Sequence, residues 1–140
     1  MYQDLLLATD GSDGAQRATD HAIALANRLD ARVHVLSVAE EGPHSTEQRD
    51  RLRADPESEA IEAVEKADTA ATTGGVETTT TVRSGVPQEQ IVDVAEANEI
   101  DMIVIGAVGR GKLEQLVVGS VAQEVVRTAS VPVVTVRDGS

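Results

Sequence analysis

The chain of 140 residues has no cysteine, no phenylalanine and no tryptophan, and Tyr2 is its one aromatic residue. The missing cysteines exclude a disulfide framework and thiolate chemistry. Missing aromatics leave no platform for base stacking and no cage for methylated lysine. Lysine is scarce as well: only Lys66 and Lys112 occur, and the other ten basic residues are arginines. No apolar run approaches the roughly 18 residues that a membrane span requires. Met1 is followed by a strand-like segment rather than a basic leader, so the expected location is the cytoplasm, with no membrane partner.

What is abundant is acid. Asp and Glu number 24 against 12 Lys plus Arg, a formal net charge of -12. Such a surface repels phosphate backbones, which argues against a nucleic-acid partner. Excess acid with little lysine also suits a salt-rich, halophilic cytoplasm, where counterions screen the self-repulsion. The length fits one domain over residues 1–140, whose core must be built from Val, Ala, Leu and Ile.

Short apolar runs alternate with helical stripes, the pattern of an α/β domain with a mostly parallel sheet. Strands are expected at Asp4–Thr9, Arg32–Val38, Val76–Arg83, in "DMIVIGA" from Asp101 to Ala107, and in "VPVVTVR" at 131–137. The fourth is apolar almost throughout, which places it in the middle of the sheet. The run of threonines in the third suits a partly wet strand. Helical spacing puts Ala15, Ala18, Ala22, Leu25, Ala26 and Leu29 on one face, then Ala60, Ile61, Val64, Ala67 and Ala71 on a helix over Glu57–Thr72. Pro87 opens a third helix, with Ile91, Val92 and Ala95 inward. A last helix is expected from Ser120 to Ser130. Glu40–Pro56 carries no usable periodicity and reads as a tail-like insertion at 40–56 rather than a lid, expected to be mobile.

The stretch "GAVGRGKLEQLVVGS", Gly106 to Ser120, carries the chemistry. Gly106, four residues, then Gly111 and Lys112 match the start of a P-loop, but Leu113 stands where that motif needs a magnesium-binding hydroxyl. A dinucleotide fingerprint fails too, because the glycine spacing is wrong and follows the fourth strand rather than the first. Extended to its end, the stretch reads Gly106, two residues, Gly109, nine residues, Gly119-Ser120. This G-x2-G-x9-G-(S/T) spacing resembles the nucleotide motif of the universal stress protein family. "LLLATDGS", "SGVPQEQIVDVAEANEIDMIVIGA" and "GSVAQEVVRTASVPVVTV" extend the resemblance over essentially the whole chain.

The resemblance implies a five-stranded open parallel sheet in order 3-2-1-4-5, helices on both faces, in the adenine nucleotide alpha hydrolase-like manner. It further implies an ATP site formed by Ala8, Thr9, Asp10, Val38, Gly106, Gly109, Arg110, Gly119, Ser120 and Val121. Magnesium would be held mainly by phosphates and water. A homodimer through strand 131–137 and an unidentified regulatory protein partner complete the expectation, with nucleotide occupancy as the signal and at most slow hydrolysis. Two other readings stand beside it: a nucleotide-free interaction dimer of the same fold, and an adenylating enzyme. The latter lacks support in the first turn, "ATDGSDG", which has no Ser-Gly-Gly-x-Asp-Ser grip for pyrophosphate.

Each site residue also has a structural account. Ser120 followed by Gln123 matches a capping box, Asp10 could be a turn carboxylate helping to cap the first helix, and Gly106 and Gly109 could be turn glycines. "DGSDG" evokes a calcium loop, but His21 stands where the bidentate Glu is needed. His21, His34 and His44 share no metal-ligand spacing. No nucleophile is identified.

Overall fold

The computed structural model describes residues 2–40, 55–107 and 119–137. Among them five strands and four helices alternate: β1 (Asp4–Ala8), α1 (Asp13–Leu29), β2 (Arg32–Glu40), α2 (Pro56–Thr73), β3 (Thr78–Gly85), α3 (Pro87–Ala97), β4 (Met102–Gly106), α4 (Ser120–Thr128) and β5 (Val133–Val136). The strands form one sheet in the order β3-β2-β1-β4-β5, every neighbouring pair parallel. Fold and strand order are those the resemblance implies.

Successive side chains of a strand point to opposite faces, and the leucines of β1 show the consequence. Leu5 and Leu7 join Ala18, Ala22 and Ala26 of α1 and Val64, Ala67 and Ala71 of α2 in one core. Leu6 and Ala8 join Ile91, Val94 and Ala95 of α3 and Ala122 and Val125 of α4 in the other. Leu5, Leu6 and Leu7 are all fully buried. An apolar run with no polar alternation is what a strand covered on both sides requires. In the first core, the helices face the sheet largely with alanine, so the branched side chains of β1 and β2 supply most of the bulk.

Several element boundaries shift from the sequence reading. Thr9 follows β1 rather than ending it, whereas α4, from Ser120 to Thr128, keeps within the expected limit of Ser130. Glu40 is the last residue of β2, Asp55 caps α2 by accepting the Glu57 N–H, and Pro56 is helical. The expected insertion at 40–56 thus loses both its ends to regular elements, and its interior lies outside the described residues. Two stripe assignments also fail: Leu29 and Ile61 are exposed. In α3 it is Val94, not Val92, that is fully inward. Helical periodicity places a side chain on an arc, but the width of the covered arc depends on how far neighbouring elements reach.

The amino ends of β1 and β4 are fastened together by Asp101. Its Oδ2 accepts the N–H of Gln3 at 2.9 Å and of Asp4 at 3.0 Å. These two bonds hold the carboxyl below its ordinary range. A carboxylate with a lowered folded pKa adds stability above its unfolded value near about 3.9, and that contribution disappears as pH falls through the folded value. Asp101→Asn is therefore expected to lower the urea midpoint at neutral pH. The gap to the parent should close in acid below the ordinary carboxylate range, and a pH series of denaturation midpoints checks it.

Candidate functional site

A cleft of about 360 Å³ lies at the carboxyl edge of the sheet, where the chain leaves β1 for a helix on one face and β4 for a helix on the other. Open parallel sheets form a crevice at such a switch point because the two departing connections separate there. Ala8, Thr9, Asp10, Val38, Gly106, Gly119, Ser120 and Val121 all line it. Eight of the ten residues expected from the sequence are thus brought together. Gly109 and Arg110 lie outside the described residues.

The floor is built by the strand ends. Thr9 is buried, donates its N–H to Leu36 O at 2.9 Å, and accepts the Gly11 N–H on Oγ1 at 3.2 Å. Gly11 takes φ 81°, a left-handed conformation that a glycine adopts without strain. Asp10 accepts the Ser12 N–H on Oδ1 at 2.9 Å, which shapes the turn. Ser12, rather than Asp10, caps α1 by accepting the Ala15 N–H at 3.2 Å. Asp10 is exposed at the cleft, so its turn-shaping bond and a contact to a ligand are compatible.

Gly106 serves a purpose the sequence did not disclose. A Cβ there would stand 2.8 Å from the Gly14 carbonyl oxygen and 3.0 Å from the Gly14 carbonyl carbon. The glycine is required by the close approach of α1 to β4, whatever binds above it. Its structural role is therefore this packing contact rather than a turn, since Gly106 ends β4 without a positive φ, and its expected place at the ligand site is unaffected.

The start of α4 corrects a second expectation. Gly119 is the N-cap, Ser120 is the first helical residue, and no side chain caps the helix. Gln123 donates its N–H to the Gly119 carbonyl, so the Ser120–Gln123 capping box does not form. Gly119 instead donates its N–H to Ala107 O at 2.6 Å, which joins the end of β4 directly to the start of α4. The next amides, of Ser120, Val121 and Ala122, belong to the first turn, where no intrahelical acceptor exists. All three residues line the cleft.

A comparison of helix starts sharpens the point. α1 has the Ser12 cap and Asp13, α2 has the Asp55 cap with Glu57 and Glu59, and α3 has Glu89 in its first turn. Among the described residues, α4 is the helix that starts with neither a side-chain cap nor an acidic residue. Its positive dipole end is left for something else to neutralise. The opposite end of the cleft carries Glu40 and Glu59, with Asp10 also on the wall. The cleft is therefore polarised, with hydrogen-bond donors at α4 and carboxylates towards β2 and α2.

The sequence reading missed Ser12, Ser37, Glu40 and Glu59 as lining residues. Ser37, buried within β2, had a signal: it is the polar residue in the otherwise apolar end of "RVHVLSV". Glu40 and Glu59 had none, because their approach depends on how α2 packs against β2.

The sequence profile of the universal stress protein family matches residues 1–137. The chain belongs to the universal stress protein family. Universal stress protein MJ0531 of Methanocaldococcus jannaschii is 35% identical over 98% of this chain and 83% of its own length. A universal stress protein of Thermus aquaticus is 36% identical over 98% of this chain and 100% of its own. Among solved structures, universal stress protein UspA from Lactobacillus plantarum superposes with a TM-score of 0.79 at 28% identity, covering 97% of this chain and 98% of that one. A universal stress protein from Archaeoglobus fulgidus in complex with dAMP gives a TM-score of 0.75 at 26% identity, with coverage of 97% and 98%. A universal stress protein in complex with cAMP gives 0.74 at 25%, with 97% coverage of both chains.

Proposed function

We propose that this universal stress protein binds ATP across the carboxyl edge of its sheet and acts as a nucleotide-responsive regulator. The observation that carries the proposal is the uncapped start of α4, whose first-turn amides open into the same cleft as Asp10 and Val38. An array of free amides at the positive end of a helix is suited to phosphate. Related proteins of this fold in complex with dAMP and cAMP support an adenine nucleotide as the ligand class. A volume of about 360 Å³ falls in the range of small-molecule pockets, and the phosphates can extend towards the solvent-facing start of α4.

In this reading the phosphates point to Gly119, Ser120 and Val121, the ribose lies over Ala8 and Asp10, and the base reaches Val38 on β2. The polarity of the cleft sets that direction, since phosphates are repelled from Glu40 and Glu59 and attracted to α4. Gly109 and Arg110, outside the described residues, are proposed to contribute as the family motif implies. Any magnesium would be held mainly by the phosphates and water. A regulator also needs a surface that reports occupancy. The outer edge of β5 is proposed as the dimer contact, where a second copy would satisfy its backbone groups.

The test is direct. Protein purified gently and then denatured should release ATP, identified by mass spectrometry, and calorimetry on stripped protein should show ATP binding in potassium chloride. Release of AMP or a cyclic nucleotide, with calorimetric preference for it over ATP, would replace the triphosphate in this reading. No nucleotide on release and no binding by calorimetry would remove the nucleotide altogether.

A further inference from the structure

The sheet has a second edge, opposite β5. β3 is its outer strand, and its parallel register with β2 runs from Val33 opposite Thr78 to Glu40 opposite Gly85. The Val33 N–H donates to Glu77 O at 2.9 Å. That bond fixes which backbone groups face inward: Glu77, Thr79, Thr81 and Arg83 turn theirs to β2. Thr78, Thr80 and Val82 turn their N–H and C=O groups outward. Edge strands are normally guarded by proline, lysine or an inward charge. Thr78–Val82 has none of these, and its threonines and valine favour extended chain.

The two ends of this unguarded segment carry opposite charges, Glu77 and Arg83, both exposed and both on the sheet face that carries His34, whose Nδ1 lies 2.8 Å from Thr79 Oγ1. We infer that β3 pairs antiparallel with β3 of a second copy of this chain, about a twofold axis at Thr80. In that register Thr80 meets Thr80 and Thr78 meets Val82, all outward-facing residues, so each pair exchanges two backbone hydrogen bonds. Thr79 meets Thr81, and Glu77 meets Arg83, in the non-hydrogen-bonded positions where side chains lie closest. The pairing contains two such Glu–Arg contacts because the axis repeats them. Sliding the register by one step either way puts Glu77 opposite Thr81 or Gly85 and loses both. Charge complementarity thus selects the partner, a second copy, and its register together.

The present partners of the two charges leave them available. Arg32 Nη1 stands 4.0 Å from Glu77 in an exposed pair, and Arg83 Nη1 donates to Gln90 Oε1 at 3.2 Å on the surface. Neither contact is strong enough to hold a long exposed side chain against an ion pair at closer range. The contact is separate from the β5 edge and from the nucleotide cleft.

Sedimentation velocity of the full chain near an ionic strength of about 0.15 M tests the pairing. There the screening length is about 8 Å, so the long-range repulsion between acidic copies is damped while contact pairs persist. Glu77→Arg and Arg83→Glu, each alone, place like charges opposite each other twice and should weaken self-association about tenfold. The double variant Glu77→Arg/Arg83→Glu restores opposite charges in the same register and should recover the parent behaviour. A parent chain that stays monomeric overturns the inference. So does association that the single variants leave unchanged, as a contact through β5 alone would give, or single-variant losses that the double variant does not recover.

Discussion

Gly106→Ala is expected to destabilise the protein by about 1–3 kcal/mol, the usual cost of forcing an extra carbon into packed structure. The added Cβ would meet the carbonyl of Gly14 at 2.8 Å. Both obstructing atoms are backbone, so no rotamer change relieves the contact, and α1 must move off β4 as a unit. For a chain of this size the loss corresponds to a fall in Tm of about 4 °C per kcal/mol. Urea and thermal denaturation measure it. Because Ser12 and Ala15 of the α1 start line the cleft with Gly106, ATP affinity should fall in the same variant. An unchanged denaturation midpoint would mean that the approach of α1 to β4 is soft, and the packing account of Gly106 would fail.

Ser120→Asp separates the structural and binding roles of α4 because they predict opposite signs. An acid in the first turn of a helix adds about 0.3–1 kcal/mol of stability by complementing the dipole. The first turn of α4 has no acid, so the variant should unfold at higher urea concentration than the parent. If the amides of Ser120 and Val121 receive phosphate, the same carboxylate should repel the ligand and cut ATP affinity by about tenfold or more. Calorimetry and denaturation on one protein sample read both effects. Gain of stability with unaltered ATP affinity would detach α4 from nucleotide binding. Loss of stability would show that the Ser120 hydroxyl caps the helix after all, contrary to the geometry at Gly119.

The two tests also mark where sequence reasoning reached its limit. Strand positions were legible because "DLLLA" and "MIVIG" are short apolar runs bounded by polar turns, a signal that is entirely local. The spacing from Gly106 to Ser120 was legible only through its resemblance to the family's G-x2-G-x9-G-(S/T) motif. By contrast, Ser120 followed by Gln123 has the composition of a capping box whether or not the box forms. The bond from Gly119 N–H to Ala107 O decides the matter, and it depends on how the chain returns to β4. Ile61 shows the same limit on a helix face: it falls on the apolar stripe of α2, yet no neighbour among the described residues extends far enough to cover it.

By itself the sequence determined the alternation of strands and helices, the burial of β4 on both faces, and the pairing of a glycine-rich strand exit with a glycine-serine helix start. The first two follow from periodicity along the chain, which neighbouring residues set among themselves, and the third from the resemblance of the spacing to the family motif. Only the tertiary structure decided that Gly106 is a packing glycine, that α4 starts uncapped into a cleft, and that Glu77 and Arg83 end an open strand edge. Those properties belong to atoms far apart in sequence, and nothing short of folding brings them within reach.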